Sequence, residues 1–440
     1  MTQQSITPPG LVHFVTQDYA GVSRARSISP ERLPRVLSKG LGWTPANLAL
    51  NPFGSIVENQ WGTLGDLLLL PDAASEVRVG GAEGVTPLHY LLCDLVRLDG
   101  SAWEACPRQF LKRQISSLAE LGVRAISSFE HEFMLLDIAQ PSACFSLAAA
   151  RAEEAFCSAV VEALLEAKLE PEMCIPEYAP RQYEVTVQPA DALKAADRAV
   201  HVREIVREIG RRHRRVVSFS PVVAGNTGTN GVHIHISLWS DAGQPLTYDP
   251  SGPGQLSELA SHFCAGLLAH MPALTALTAP GVVSYQRLRP HSWSAAYACI
   301  GQQNREASLR IAPVSQLPGC DPANQANIEY RPADALASPY LALGALLCAG
   351  IDGIRRRLPL PELVNADPGS IATADRTRYG LKPLPSGLHD ALCELERDEC
   401  MGAGLGHQLL DCYRAVKNSE VQKMNDKDEE TIRNAYAAVY

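Results

Sequence analysis

Three apolar stretches of this chain each carry two polar side chains placed two positions apart. The pairs are Glu130 and Glu132 in FEHEF, His233 and His235 in VHIHIS, and Glu329 and Arg331 in IEYRP. In a β-strand, residues i and i+2 project from the same face. Each pair therefore predicts a strand that is mostly buried and that presents polar groups on one face only. A buried carboxylate is costly unless a partner neutralises its charge.

A single pair of this kind is well explained by a structural ion pair. The chain adds two more acidic residues, however, Glu177 and Glu184 in PEYAPRQYE. Five carboxylates and an imidazole converging on one place require cations, and hard oxygen donors favour Mg²⁺ or Mn²⁺ over zinc. The carboxylates are those of Glu130, Glu132, Glu177, Glu184 and Glu329, and the imidazole belongs to the His233–His235 pair.

Four arginines accompany these acidic residues. Arg287 lies in SYQRLRP, Arg305 and Arg310 lie in QNREASLRI, and Arg331 lies in IEYRP. Any one of them is equally explained by a salt bridge or a surface position. Together with the cations they suggest a site for a polyphosphate and a carboxylate substrate, because the guanidinium fork binds both groups. The chain has neither a Walker A motif nor a strand followed by G-x-G-x-x-G, so metals and arginines would have to define any nucleotide site.

Composition narrows the class of protein. Of 440 residues, 46% are hydrophobic and 20% are charged, with a net charge of −9, so long disorder and nucleic-acid binding are disfavoured. The longest apolar run, 340–351, is shorter than the roughly 20 residues of a membrane span. The N-terminus lacks the features of a signal peptide, and we expect a cytoplasmic protein. The 12 cysteines include no C-x-x-C pair, so we expect buried free thiols and no cysteine-based zinc site.

The predicted secondary structure changes in character near residues 100–107. Short strands and turns precede this point, whereas alternating strands and helices follow it, including predicted helices over 152–169, 256–270 and 339–358. The sequence thus predicts an N-terminal domain over residues 1–102 and a larger domain over residues 103–440.

Six motifs in order resemble the catalytic domain of the glutamine synthetase family, type I-like. They are FEHEF, EYAPRQYE, GVHIHISLW, HMPALTALTAPGVVSYQRLRP, NREASLRI and NIEYRPADALASPYLALGALLCAGIDGI. The resemblance covers nearly the whole chain. It implies an α+β fold with an N-terminal β-grasp domain and a catalytic domain built as a distorted α/β barrel. It also implies a homododecamer of two hexameric rings.

The resemblance assigns roles residue by residue. Glu132, Glu177 and Glu184 match the ligands of a first metal, and Glu130, His233 and Glu329 match those of a second metal on the ATP phosphates. The remaining matches are Glu172, His235 and Ser237 with the nucleotide, Arg305 and Arg310 with the transferring phosphoryl group, and Arg287, Arg331, Gly228 and Thr229 with glutamate.

Two departures from the family pattern concern the acceptor. Ammonia-using members carry a glutamate six residues past the SYKRL-type arginine, and here that position is Trp293. They also carry an aspartate in an FDGSS-like segment, whereas NPFGSI over residues 51–56 has no acid. Arg181 replaces the usual glycine before Gln-Tyr-Glu. We therefore expect a γ-glutamyl amide synthetase, resembling the polyamine, alkylamide and anilide enzymes, with Trp293 at the amine. Glutamine synthesis from ammonia and a silent sensor of nitrogen or amines are the alternatives.

Overall fold

The computed structural model describes residues 10–81, 85–137, 143–223, 228–290, 295–376 and 378–440. Trp293 lies outside this set. The predicted α+β class is confirmed, since the chain forms one sheet near its N-terminus and a second, larger sheet flanked by helices. Among the described residues, no helix has the length and apolar composition that crossing a membrane requires.

The N-terminal part is a six-stranded sheet. Its elements are β1 (Val12–Gln17), β2 (Ser23–Ile28), α1 (Leu33–Lys39), β3 (Leu41–Trp43), β4 (Leu67–Pro71), β5 (Val77–Val79) and β6 (Leu88–Val96). The strand order is β2-β1-β6-β4-β3, with β5 also paired to β6. β1 and β6 run parallel, and the other pairs are antiparallel. A chain that returns to pair in parallel with its own first strand matches the expected β-grasp arrangement.

The second part begins with helix α2 and contains the larger sheet. Its first elements are α2 (Pro107–Ala119), β7 (Val123–Leu135), α3 (Leu147–Ala152), α4 (Glu154–Glu166), β8 (Pro171–Pro176), β9 (Gln182–Val187), β10 (Ala190–Asp191), α5 (Ala192–Arg212), β11 (Val217–Ser218) and β12 (Val232–Ser240). The predicted helix over 152–169 corresponds to α4, which begins two residues later and ends three residues earlier. Glu153 precedes α4 with a non-helical backbone, and its carboxylate pairs with Arg215 at 2.8 Å.

The remaining elements complete the sheet and form the C-terminal helices. They are α6 (Glu258–Ala269), α7 (Met271–Thr278), α8 (Ser284–Arg287), β13 (Tyr297–Ala298), β14 (Ile300–Gln302), β15 (Leu309–Ile311), α9 (Pro322–Gln325), β16 (Ile328–Tyr330), α10 (Pro339–Arg356), α11 (Thr373–Arg376), β17 (Lys382–Pro383), α12 (Leu388–Arg397), α13 (Glu399–Leu405), α14 (His407–Met424) and α15 (Glu429–Ala437). The nine-stranded sheet has the order β14-β15-β16-β12-β7-β9-β8, with β10 and β11 also on β7.

Helix α10 is the centre of the helical layer. Its sequence is apolar on nearly every side, as expected for a helix buried all round, and it packs against α2, α5, α6, α7 and α13. The crossing with α6 depends on glycine. A Cβ on Gly266 would lie 2.2 Å from the carbonyl oxygen of Ala349, and one on Gly353 would lie 2.2 Å from that of His262. The missing side chains let the two helix backbones touch.

Candidate active site

Strand β7 provides the central wall of the site. Its side chains alternate between two environments, with Phe129, His131 and Phe133 buried on one face and Glu130 and Glu132 half-buried on the other. Phe129 and Phe133 pack among aromatic rings of the core. This anchoring fixes which face of the strand carries the two carboxylates, because a shift of one residue would bury them instead.

The strand register brings the predicted ligands together. His233 on β12 lies directly opposite Glu130, and Glu184 on β9 lies directly opposite Glu132. On the other side of β12, Glu329 of β16 lies opposite His235. Cross-strand neighbours have Cβ atoms about 5 Å apart, so residues as far apart in sequence as Glu130 and Glu329 share one sheet face.

The first cluster consists of Glu130, His233 and Glu329, which offer donor atoms within 4.8 Å of one another. His233 Nδ1 lies 3.2 Å from Glu130 Oε2 and 3.6 Å from Glu329 Oε1. These are the three residues that the sequence assigned to the second metal. Their assembly supports that grouping.

The second cluster consists of Glu132, Glu184 and His233, again within 4.8 Å. It contains two of the three residues assigned to the first metal, with His233 in place of Glu177. Glu177 follows β8 and is near enough for mutual repulsion, since burial and the charge of Glu132 raise its pKa to about 7.

The pKa shifts of the clustered carboxyl groups show that negative charge is concentrated on this sheet face. Burial, and then repulsion from Glu130, Glu132, Glu177 and Glu329, raises the pKa of Glu184 to about 9. Burial would raise the pKa of Glu130 as well, but hydrogen bonds with His233 and His235 hold it well below its usual range. Protons and imidazoles thus compensate for a concentrated negative charge. Oxygen donors and one imidazole on this face fit hard divalent cations.

Gln182 and Gly231 contact the predicted ligand Glu132, and sequence reasoning missed both residues. Gln182 Nε2 donates to Glu132 Oε2 at 3.0 Å and to the carbonyl oxygen of Thr229 at 2.9 Å, while the amide nitrogen of Gly231 donates to Glu132 Oε2 at 2.7 Å. Together they hold the Glu132 carboxylate and the backbone beside Gly228 in place. The position of Gln182, two residues before a predicted ligand and on the same strand face, was a usable signal.

Arg181 occupies a strained backbone position. Its φ of 67° lies in the left-handed region, which glycine adopts without steric cost and other residues rarely adopt. The turn into β9 therefore keeps the backbone conformation that glycine favours, although arginine replaces glycine at this position.

Two arginines brace Glu329. Arg310 Nη1 lies 2.5 Å from Glu329 Oε2, and Arg331 donates to Glu329 Oε1 and, through Nε, to the carbonyl oxygen of Arg305 at 3.0 Å. Arg305 itself is exposed, and its charge reaches Glu177. Of the two arginines predicted to bind the transferring phosphoryl group, Arg310 is therefore paired with the predicted metal ligand Glu329, whereas Arg305 extends towards solvent.

Arg287, predicted to hold glutamate, is fully enclosed. Its guanidinium donates to the carbonyl oxygens of Arg331, Pro332 and Ala333 at 3.1–3.2 Å. A Cβ on Gly231 would lie 2.5 Å from Arg287 Nη2 and 3.2 Å from His233 Nε2. The described contacts show Arg287 supporting the loop after β16, directly behind the metal-ligand face.

The predicted nucleotide contacts lie on both sides of the clusters. His235 Nδ1 donates to Asn327 Oδ1 at 2.7 Å, and its Nε2 lies 3.1 Å from Glu130 Oε1. Ser237 accepts a hydrogen bond from Trp239 at 2.9 Å. Glu172 is exposed on β8 and accepts from Gln188 at 2.6 Å. A cavity of about 360 Å³ beside Asn327 adjoins the His235 side.

The segment over residues 51–56 is held against the C-terminal helices. Asn51 Oδ1 accepts from the backbone amides of Phe53 and Ser55, and the Phe53 ring packs edge-on against Tyr436. Gly54, Ser55 and Ile56 are exposed at its tip.

Comparisons with known proteins agree with this geometry. The family model described as the glutamine synthetase catalytic domain matches residues 104–436, and that of the glutamine synthetase N-terminal domain matches residues 2–103. Gamma-glutamylpolyamine synthetase GlnA3 of Streptomyces coelicolor is 32% identical over 96% of this chain and 92% of that protein. Glutamine synthetase of Pyrococcus abyssi is 31% identical over 90% and 87%.

Two solved structures are similar over nearly the full length. A structure described as a novel glutamine synthase homolog has a TM-score of 0.92 and 46% identity, covering 99% of both chains. A GmaS complex with ADP has a TM-score of 0.81 and 25% identity, covering 97% of this chain and 96% of that one.

Proposed function

This chain belongs to the glutamine synthetase family of ATP-dependent ligases, and we propose that it joins the γ-carboxylate of glutamate to an organic amine. The γ-carboxylate attacks the terminal phosphate of ATP, and γ-glutamyl phosphate forms as ADP leaves. The amine then attacks the γ-carbonyl carbon, and phosphate leaves as the amide forms. The alternative, glutamine synthesis from ammonia, is favoured by relatives named glutamine synthetase.

The convergence of the six predicted ligands around one sheet face carries the phosphoryl-transfer part of this proposal. The ligands are Glu130, Glu132, Glu177, Glu184, His233 and Glu329. When bound, two Mg²⁺ or Mn²⁺ ions would neutralise phosphate oxygens and charge that develops during transfer. We place ATP on the His235 side of this face. The related GmaS structure is a complex with ADP, which supports nucleotide binding by this chain.

The chain's own residues orient the two reactants. Gln182 and the Gly231 amide fix the Glu132 carboxylate, so the donor geometry exists before substrate arrives. Arg310 is held beside Glu329, and the exposed Arg305 is free to turn towards a transferring phosphoryl group. Fixed cations aimed at developing charge stabilise the transition state more than the ground state. We assign glutamate binding to Gly228, Thr229 and Arg331, with Arg287 behind them.

Three observations support an organic acceptor. The related protein from Streptomyces coelicolor is named for a polyamine substrate. The residues matching the two ammonium-binding acids are Trp293 and the acid-free segment 51–56. An ammonium site needs a carboxylate that offsets desolvation and accepts a proton, whereas an indole offers only a donor and an apolar face.

The decisive experiment compares acceptors. ADP release is measured in the presence of ATP, glutamate and Mg²⁺, with ammonium or with a panel of alkylamines, polyamines, arylamines and amino alcohols at matched pH. We expect an organic amine to give the highest kcat/KM, with the corresponding γ-glutamyl amide identified by mass spectrometry. Glu329→Ala is the inactive control. A preference for ammonium over every amine would establish glutamine synthesis instead.

Assembly is part of the same proposal. The exposed tip at Gly54, Ser55 and Ile56 fits a role at a neighbouring subunit's site, within a dodecamer of two hexameric rings. Mass photometry of the full chain tests this state. A stable monomer that is fully active would exclude sites completed by a neighbouring subunit.

A further inference from the structure

A second group of metal-ligating side chains lies among the C-terminal helices, outside the sheet face that forms the candidate active site. His270 stands between α6 and α7, Cys348 and Asp352 belong to α10, and Asp398 and Cys400 begin α13. Donor atoms of His270, Asp398 and Cys400 lie within 4.8 Å of one another. We call these five residues the helix-junction cluster.

Backbone packing brings the cluster together. The glycine-mediated contact of α6 with α10, at Gly266 and Gly353, sets His270 beside Asp352. Asp398 is the N-cap of α13, where its Oδ1 accepts from the Met401 amide at 3.0 Å. Its other oxygen, Oδ2, faces His270. The cluster therefore joins three helices, and each member is positioned by its own element.

Three donor groups already converge, and small shifts would complete a four-coordinate site. His270, Asp398 and Cys400 form the converging group. His270 Nδ1 now lies at hydrogen-bond distance from Asp398 Oδ2, 2.7 Å, and the two atoms would separate slightly to share one ion. Cys348 adjoins this group through Cys400, with the two Sγ atoms 3.9 Å apart, and would turn inwards as the fourth ligand. Zinc binds sulfur at about 2.3 Å and nitrogen or oxygen at about 2.0–2.2 Å in a tetrahedron, so two sulfur ligands of one zinc lie about 3.8 Å apart. The thiol pair already has that separation. A disulfide would require the two sulfurs to approach to about 2.05 Å.

The outer partners orient the ring. His270 Nε2 lies 3.0 Å from Asp352 Oδ2, and Asp352 also pairs with Arg356 at 2.9 Å. A carboxylate that accepts from one ring nitrogen leaves the other nitrogen directed at a metal, an arrangement common in histidine–zinc sites. His270 and Cys348 are buried, so such an ion would be shielded from water.

We propose that the helix-junction cluster binds one zinc ion through His270 Nδ1, Asp398, Cys400 and Cys348, with Asp352 orienting the imidazole. The His270 Nδ1 proton and the thiol protons are released to solvent on binding, since zinc takes neutral imidazole and thiolate ligands. The mixture of nitrogen and sulfur donors distinguishes this cluster from the oxygen-rich face at β7 and selects zinc over Mg²⁺. The ion would link the junction of α6 and α7 to α10 and to α13.

Cobalt provides a probe that separates the two sites. Full-length protein, freed of metal and kept reduced, is titrated with Co²⁺ while its absorption is recorded. Thiolate-to-cobalt charge transfer can arise only where cysteine is a ligand, and the predicted catalytic ligands include none. We expect a charge-transfer band that saturates at about one Co²⁺ per chain and is displaced by about one Zn²⁺.

Variants identify the residues that give rise to the charge-transfer band. Cys400→Ser should abolish it, and Asp398→Asn, which retains a capping oxygen for α13, should weaken Co²⁺ binding about tenfold or more. Cys393→Ser is the matched control, because Cys393 is also half-buried and lies near another histidine, His389. It should leave the band unchanged. Circular dichroism of each variant verifies the fold.

Three outcomes would overturn the proposal. They are the absence of a charge-transfer band in the reduced wild-type protein, a band that persists in Cys400→Ser, and a band that disappears in Cys393→Ser. In the first case, a Cys348–Cys400 disulfide detected by mass spectrometry after oxidation would identify the pair as a redox couple instead.

Discussion

Glu132 and Glu184 lie directly opposite each other on neighbouring antiparallel strands. Like charges at such a position repel, and burial together with the surrounding carboxylates raises the pKa of Glu184 to about 9. In the metal-free protein, a proton on Glu184 therefore reduces the negative charge that a bound cation would otherwise neutralise. This relationship yields the first prediction.

Stability of the metal-free protein should fall as pH rises. The native Glu184 carboxyl keeps a proton that the unfolded chain releases above its ordinary pKa of 4.5. Between about pH 4.5 and pH 9 the native state therefore binds more protons, and the free energy of unfolding decreases by about 1.4 kcal/mol per pH unit for one proton. Mg²⁺ should replace that proton, so it should raise the melting temperature more at about pH 8.5 than at about pH 6.

Thermal denaturation in EDTA and in Mg²⁺ at both pH values measures this effect. Glu184→Gln should flatten the pH dependence of the metal-free protein and reduce the stabilisation by Mg²⁺. A stabilisation by Mg²⁺ that is equal at both pH values, in wild type and variant alike, would contradict the prediction.

Arg305→Ala should lower kcat by about 100-fold or more, with a smaller change in the KM for ATP. A cation that acts on the transferring group contributes mainly in the transition state, where losing one positioned donor costs about 3–4 kcal/mol. Steady-state kinetics with ATP varied at saturating glutamate measures both constants. A change in the KM for ATP alone, with kcat unchanged, would show that Arg305 only binds the nucleotide.

Arg310→Ala should have a second consequence that Arg305→Ala lacks. Removing the guanidinium leaves Glu329 without a partner that lies 2.5 Å away, so the geometry of a metal ligand changes as well. We expect kcat to fall and the Mg²⁺ concentration for half-maximal activity to shift. An unchanged Mg²⁺ dependence would show that Arg331 alone positions Glu329.

Gly231→Ala should disrupt the site from behind. The new Cβ would lie 2.5 Å from Arg287 Nη2, and this buried guanidinium is held by three carbonyl groups, so it cannot easily move away. We expect kcat/KM for glutamate to fall about tenfold or more, with a loss of about 1–3 kcal/mol in stability. Gly387→Ala, where a Cβ meets open space, is the control. Equal activity of the two variants would contradict the close packing.

Trp293 should select the acceptor. Trp293→Ala should lower kcat/KM for the preferred organic amine without creating activity with ammonia, because it removes an apolar wall and a cation–π contact of about 0.5–2 kcal/mol. Trp293→Glu should narrow or reverse the preference, since it supplies the missing carboxylate. Coupled ADP release with each acceptor measures the ratio. An equal loss for ammonia and all amines in Trp293→Ala would mean that this residue supports the flap instead.

Much of the fold and the candidate site could be predicted from local pattern. The alternation in FEHEF and VHIHIS predicted strands β7 and β12 and the face on which their polar side chains lie. Glu130, His233 and Glu329, which the family resemblance groups together, lie in one cluster. The predicted helix over 152–169 was wrong only at its ends, since α4 begins at Glu154 and ends at Glu166. Apolar periodicity does not mark the residue at which a helix stops, and here the backbone becomes left-handed at Lys168.

By itself, the sequence determined which side chains are available and which face of each strand or helix they occupy, because periods of 2.0 and 3.6 are properties of the local backbone. Only the tertiary structure decided which of them meet. Strand register joined Glu132 to Glu184, a glycine contact between helices set His270 beside Asp352, and the start of α13 brought Cys400 to Cys348. The spacing of the cysteines gave no indication of the helix-junction cluster, because His270 and Cys400, 130 positions apart, become neighbours only through packing.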